Sequence, residues 1–191
     1  MNDHFIRIFE DTLPARFCEE LIRRFDVCPD VIEGKVGVEN GPLAPDVRSC
    51  LELNINKTES FQDMLQFFIN CFSAVVMKYK AAVPEAEFLP DQFAIEHFRL
   101  KRYRAHGESS DYFKTHVDVN SHATARRFLV CFFYLNTVSE GGETMFPHLG
   151  LKIKPQQGSA LCFPPSWMFP HSGEPPISND KYICGSYLHY L

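Results

Sequence analysis

His116-Val117-Asp118 sets an imidazole and a carboxylate two positions apart. In an extended strand such residues point to the same face, roughly 7 Å apart at the backbone, so both can reach one ion. A third ligand has to come from a distant segment. His171, in Phe169-Pro170-His171-Ser172-Gly173, is the residue that a jelly roll would bring back across its barrel. Two histidines and one carboxylate on one face of an octahedral ion leave the opposite face open, which is what non-haem Fe(II) needs to take a chelating cosubstrate and O2 together. Taken alone, an HxD triplet also reads as a polar strand end with a solvated histidine and a capping aspartate. Lys181 follows His171 across a stretch rich in turn formers (Gly173, Pro175, Pro176, Ser178, Asn179, Asp180), so a hairpin can return its ammonium beside the metal. A buried cation needs an anion; the distal carboxylate of 2-oxoglutarate would supply it while the 1-carboxylate and 2-keto oxygens chelate iron. By itself, Lys181 also reads as a surface lysine at a strand start.

The elements that must hold these groups fall into two halves. Pro14 to Asp26 carries Phe17, Leu21, Ile22 and Phe25 on one helical face, with Pro14 suited to a first turn. Val27 to Asn54 breaks into Pro29, Gly34, Gly37, Gly41, Pro42 and Pro45, predicting a long surface connection or short edge strands that border a site. From about Ser60 to Ala82, Phe61, Leu65, Phe68, Ile69, Phe72, Val76 and Tyr79 form the apolar stripe of a second helix, with Asp63 supporting its start. After Pro84 and Pro90 the period shortens to that of strands from Gln92 to Tyr103, with a parity shift near His97-Phe98. Short runs separated by turn signals continue to Leu191, the spacing of an antiparallel sandwich or jelly roll. The expectation is an α+β fold forming one domain over residues 1–191. Residues 1–90 would give mainly helical support and loops, and residues 91–191 a double-stranded β-helix (jelly roll).

An ordered set of segments carries a family resemblance. Arg102-Tyr103 is followed by Phe113-Lys114-Thr115-His116-Val117-Asp118, then by Arg127-Phe128-Leu129-Val130-Cys131-Phe132-Phe133-Tyr134-Leu135-Asn136. Gly141-Gly142-Glu143-Thr144-Met145-Phe146, Pro155-Gln156-Gln157-Gly158, His171-Ser172-Gly173 and Lys181-Tyr182-Ile183 complete it. From Tyr103 to Leu191 the chain resembles the prolyl 4-hydroxylase-like branch of the Fe(II)/2-oxoglutarate-dependent dioxygenases. The resemblance implies that His116, Asp118 and His171 are the iron ligands, that Lys181 partners the distal carboxylate of 2-oxoglutarate, and that Tyr103, Tyr134 and Thr144 line the cosubstrate pocket. It further implies hydroxylation of a C–H bond, with one atom of O2 inserted and CO2 and succinate released, and ascorbate as a reductant. Asp118 separates the chain from related halogenases, which lack this carboxylate. The substrate suggested is a prolyl residue of a peptide or protein, with a free amino acid or another side chain as the alternative. Arg48 resembles an arginine found near substrate in relatives, although a loop arginine is ordinarily solvated. Trp167 reads as either a cleft wall or core.

Composition narrows the classes. At 191 residues, 45% hydrophobic and 23% charged, the chain can enclose a core, and its 18 phenylalanines suit a sheet-rich interior. A net charge of −5 argues against a nucleic-acid partner, which calls for a basic patch or stripe. The start, Met1-Asn2-Asp3-His4-Phe5, lacks the basic and apolar runs of a secretory signal, and no apolar stretch approaches membrane-spanning length, so a soluble cytoplasmic protein is expected. The 7 cysteines lack CxxC pairs and read as reduced core residues. His4, His97, His106, His122, His148 and His189 lack ligand spacing and read as surface or structural residues. Two other classes share the ligand set: a zinc hydrolase, in which Lys181 and Thr144 would have no task, and a non-catalytic jelly-roll binding module, whose usual mark is a lost ligand.

Overall fold

The computed structural model describes residues 4–34, 44 and 46–191. Gly37, Gly41, Pro42 and Pro45 of the expected connection, like Met1, Asn2 and Asp3, lie outside the described residues. Helix α1 spans Ala15–Asp26, with Pro14 just before it, where a missing N–H removes no helical bond. Helix α2 spans Gln62–Ala82 after a 3-10 turn over Glu59–Phe61. Its buried face is Met64, Phe68, Phe72, Val75, Val76 and Tyr79, while Leu65 and Ile69 are half-buried at the stripe's edge. Arg24 ties the helices together, donating to Glu20 at 2.7 Å and to Asp63 at 2.9 Å. Among the described residues, no helix is long and apolar enough to cross a membrane.

The strands are β1 (Arg7–Phe9), β2 (Ile32–Glu33), β3 (Leu51–Asn54), β4 (Ala94–Ile95), β5 (Arg99–Tyr103), β6 (Phe113–His116) and β7 (Arg127–Tyr134). They continue as β8 (Thr144–Phe146), β9 (Leu151–Ile153), β10 (Ala160–Phe163), β11 (His171–Gly173) and β12 (Lys181–His189). A large antiparallel sheet runs β1-β10-β7-β12-β5-β3-β2, with β4 also on β12, and a small one runs β6-β11-β8-β9. Facing each other, they make the double-stranded β-helix expected from the turn spacing. β1, β2 and β3 also belong to the large sheet, so the first half supplies short barrel strands as well as helices. Extended edge segments of two to four residues carry too few alternating positions to be separated from loops by sequence. The parity shift near His97 is a strand break between β4 and β5.

Period-two alternation along β7 splits the interior. Leu129, Cys131 and Phe133 face the helical layer, where Phe68 packs against Phe98 and Phe133 at ring-centroid distances of 4.8 and 5.2 Å. Val130 and Tyr134 point into the barrel with Leu161, Phe163 and, from the small sheet, Phe146. Along β12, Tyr182, Cys184 and Leu188 face the helices, which leaves Lys181, Ile183, Gly185 and Tyr187 on the barrel face. The described cysteines are all free, five of them buried.

Candidate metal centre

Strands β6 and β11 pair in antiparallel register with His171 directly opposite His116, and a register shift follows between His171 and Gly173. The distant histidine is thus delivered by a ladder contact. Asp118 is not in the strand, as the triplet suggested: β6 ends at His116 and Asp118 sits in the bend beyond. Its place is set by Pro165, whose carbonyl accepts the N–H groups of Asp118 and Val119, each at 3.1 Å. Ligand atoms from His116, Asp118 and His171 all lie within 4.8 Å of one another. The carboxylate faces both imidazoles, 3.4 Å from His116 Nε2 and 3.6 Å from His171 Nε2.

Each imidazole is held by its other nitrogen. His116 Nδ1–H donates to the Lys114 carbonyl at 2.8 Å, and His171 Nδ1–H to the Phe169 carbonyl at 3.1 Å. A carbonyl can only accept, so each Nδ1 carries a proton and each Nε2 is the ring nitrogen turned toward Asp118. Phe113 stacks on His116, and Phe163 meets His171 edge-on at 4.7 Å. Burial drives the His171 pKa down to about 4, with Asp118 only partly opposing, so it is a neutral ligand at neutral pH. Burial would raise the Asp118 carboxyl, but His171, His116 and Lys101 together outweigh it and hold the group well below the usual carboxylate range. An ionised carboxylate and two oriented imidazole nitrogens are the donor set for a divalent ion.

Lys181 lies on the same barrel interior, paired in register with Tyr103. It is only 3% exposed, and its Nζ donates to the Gly142 carbonyl at 2.7 Å. Burial lowers its pKa to about 8, although Glu143 and Glu174 pull the other way. The rings of Tyr103 and Tyr134 stand 5.4 and 5.8 Å from Nζ, and the Tyr134 and Thr144 hydroxyls hydrogen-bond each other at 2.8 Å. An ammonium has three donors, so a desolvated Lys181 with one spent on Gly142 suits an incoming carboxylate.

A cleft of about 510 Å³ reaches His116 and Asp118 of the triad. Five cationic side chains line it, Arg48, Arg99, Lys101, Arg126 and Arg127, against the carboxylates of Glu52, Glu96 and Asp118. Arg127 grips Glu96 through two bonds of 2.7 and 2.8 Å and lies 3.9 Å above the Tyr187 ring, whose hydroxyl faces Asp118. Arg48 is not solvated, as a loop arginine would be. It is 6% exposed, bonds Glu52 at 2.9 Å and lies 5.2 Å over Phe113, because residues 47–49 bridge to the edge of β6. Trp167, at 76% exposure, is neither core nor among the side chains lining the cleft. His97 and His189 do line it, beyond reach of the triad's cluster. Lys101, Arg127 and Tyr187 were missed, yet a signal existed: once Tyr103 and Lys181 face inward, period two turns Lys101 and Tyr187 inward with them.

Fold and site together define a jelly-roll protein with a facial centre of two histidines and one carboxylate. Comparison with known proteins finds what that class is similar to. Residues 98–189 match the model described as the 2OG-Fe(II) oxygenase superfamily. Prolyl 4-hydroxylase 13 of Arabidopsis thaliana is 26% identical over 160 residues, covering 69% of this chain and 56% of that protein, so the chain spans little more than half of that relative's length. A viral collagen prolyl hydroxylase from Paramecium Bursaria Chlorella virus-1, solved as a 2OG complex, superposes with a TM-score of 0.67 at 19% identity, over 98% of this chain and 97% of that one. A Trichoplax adhaerens prolyl hydroxylase, solved with a hypoxia inducible factor peptide fragment, gives a TM-score of 0.75 at 14% identity, over 98% and 84%. Over residues 98–189 the chain is similar to the 2OG-Fe(II) oxygenase superfamily, and over 160 residues to a prolyl 4-hydroxylase.

Proposed function

We propose that this protein is an Fe(II)- and 2-oxoglutarate-dependent dioxygenase that hydroxylates a C–H bond, with a prolyl residue of a peptide or protein as the substrate type. The observation that carries the reading is the convergence of two Nδ1-anchored imidazoles and one ionised carboxylate on a point open to a cleft. The zinc-hydrolase alternative uses the same ligands and gives the buried Lys181 ammonium no anion to bind; the binding-module alternative expects a missing ligand, and all three are present. The names of the curated relative and the solved neighbours support the prolyl substrate.

In this reading His116, Asp118 and His171 would hold iron, which would supply the activation of O2, with 2-oxoglutarate as the two-electron donor that leaves as succinate and CO2, and ascorbate as a reductant. The chain's own residues do the positioning. The Lys114 and Phe169 carbonyls fix both ligating imidazoles, and Lys181 holds the distal carboxylate of the cosubstrate. The Tyr134–Thr144 pair shapes the pocket wall, with Tyr103 beside Lys181. The apolar shell of Phe146, Phe163 and Phe169 keeps bulk water from the ligands.

The test is an anaerobic titration of metal-free protein with Fe(II) and then 2-oxoglutarate, following the weak visible charge-transfer band of an iron-bound keto acid. We expect the band in the wild type and its loss in Asp118→Ala. Absence of the band from folded, metal-loaded wild type sinks the reading.

A further inference from the structure

Beyond its electrostatic pull on Asp118, Lys101 has no assigned task in the chemistry above. It stands on the barrel face of β5, two residues before Tyr103, and lines the cleft over the triad. Among the described residues it makes no hydrogen bond and no ion pair within 4 Å, although it sits within the electrostatic reach of Asp118, Glu52 and Arg48. Neither nearby carboxylate requires it. Glu52 is taken by Arg48 at 2.9 Å, and Asp118 has an imidazole on either side. Nor is Arg48 fully satisfied: its Nε is buried without a hydrogen-bond partner. Arg127, by contrast, has two bonds to Glu96.

The charge balance of the cleft points the same way. With Arg99 set aside, its four other Lys and Arg side chains still outnumber its three carboxylates, in a chain whose net charge is −5. A concave, partly desolvated site with surplus positive charge concentrates anions. A divalent ion on the triad would add positive charge beside Lys101 and strengthen that demand. A neutral prolyl segment would enter this cleft without answering it.

Building on the dioxygenase reading, we infer that the substrate presents a carboxylate to Lys101, beside the carbon that is hydroxylated. Two sources share this chemistry: the main-chain carboxylate of a free or C-terminal imino acid, and an acidic side chain next to the target residue in a peptide. Lys101 is then a specificity-determining residue, and Lys181 remains the partner of the cosubstrate.

The experiment is calorimetric titration of protein loaded with redox-inert Mn(II) and 2-oxoglutarate, using two matched pairs of probes. N-acetyl-L-proline against its amide reports a main-chain carboxylate; blocked Pro-Asp against blocked Pro-Asn reports an acidic side chain. We expect the charged member of one pair to bind about tenfold more tightly than its neutral match, as a charge-assisted hydrogen bond to an ammonium provides. Lys101→Met should abolish that preference, and Lys101→Arg should retain most of it. Equal binding within both pairs, no binding of any probe, or a preference that survives in Lys101→Met overturns the inference. The Fe(II)·2-oxoglutarate band, recorded separately on wild type and Lys101→Met, distinguishes the two failures: a normal band with no carboxylate preference removes only the anionic substrate, whereas no band in wild type removes the dioxygenase reading itself.

Discussion

At the scale of single residues, the centre works by fixing tautomer and charge before any ion arrives. Lys181 shows the same logic for a cation. Its pKa falls from an ordinary 10.5 to about 8 because burial disfavours the ammonium. Below about pH 8 the group is charged and able to hold an anion; above it the charge is lost. Affinity for 2-oxoglutarate should therefore be level up to about pH 8 and then fall by up to about tenfold per pH unit, and Lys181→Met should bind weakly with no such break. Titration of the cosubstrate into metal-loaded protein at several pH values checks this. The stability of the protein without cosubstrate runs the opposite way. Between about 8 and 10.5 the unfolded chain holds more protons than the folded one, so stability rises with pH across that window.

At the scale of elements, β12 is the strand that joins helical layer, barrel interior and cosubstrate end. It pairs with both β5 and β7, and its inward face carries Lys181 and Tyr187. Gly185 lies midway and opposite Phe132; a Cβ there would come within 2.3 Å of the Phe132 Cβ and 2.4 Å of the Cys131 carbonyl oxygen. Backbone cannot yield as a side-chain tip can, so a methyl group must push the two strands apart. Gly185→Ala should lower stability by about 1–3 kcal/mol and weaken 2-oxoglutarate binding together, because displacing β12 moves Lys181. Denaturant unfolding and cosubstrate titration on the same variant test it; a stability and an affinity both equal to wild type would remove the close-approach argument. The sequence made the long elements legible and left the short ones obscure. α1 and α2 announce themselves by apolar period, whereas β2 and β4, at two residues each, exist only because β3 and β12 offer them a ladder.

At the scale of the whole molecule, a bound ion would staple the two strands β6 and β11 to the bend that carries Asp118. An ion that binds only the folded state stabilises it by about 2.7 kcal/mol at a hundredfold excess over Kd. For a chain of this size that corresponds to a rise in Tm of about 5–10 °C, at about 2–4 °C per kcal/mol. Thermal unfolding with and without Fe(II), kept anaerobic, should show the rise in wild type and none in His171→Ala. What the sequence determined by itself was which residues could serve as ligands and the kind of fold, because residue type, two-residue spacing and apolar period are local properties that the chain carries before it folds. The tertiary structure alone decided that His171 stands opposite His116, that Asp118 sits in a bend tied to Pro165, that Arg48 is buried and ion-paired, and that Lys101 lines the cleft with no side-chain hydrogen bond to any of the described residues. Those are properties of register and burial, set by which strands meet across the barrel, and a linear sequence does not state which strands those will be.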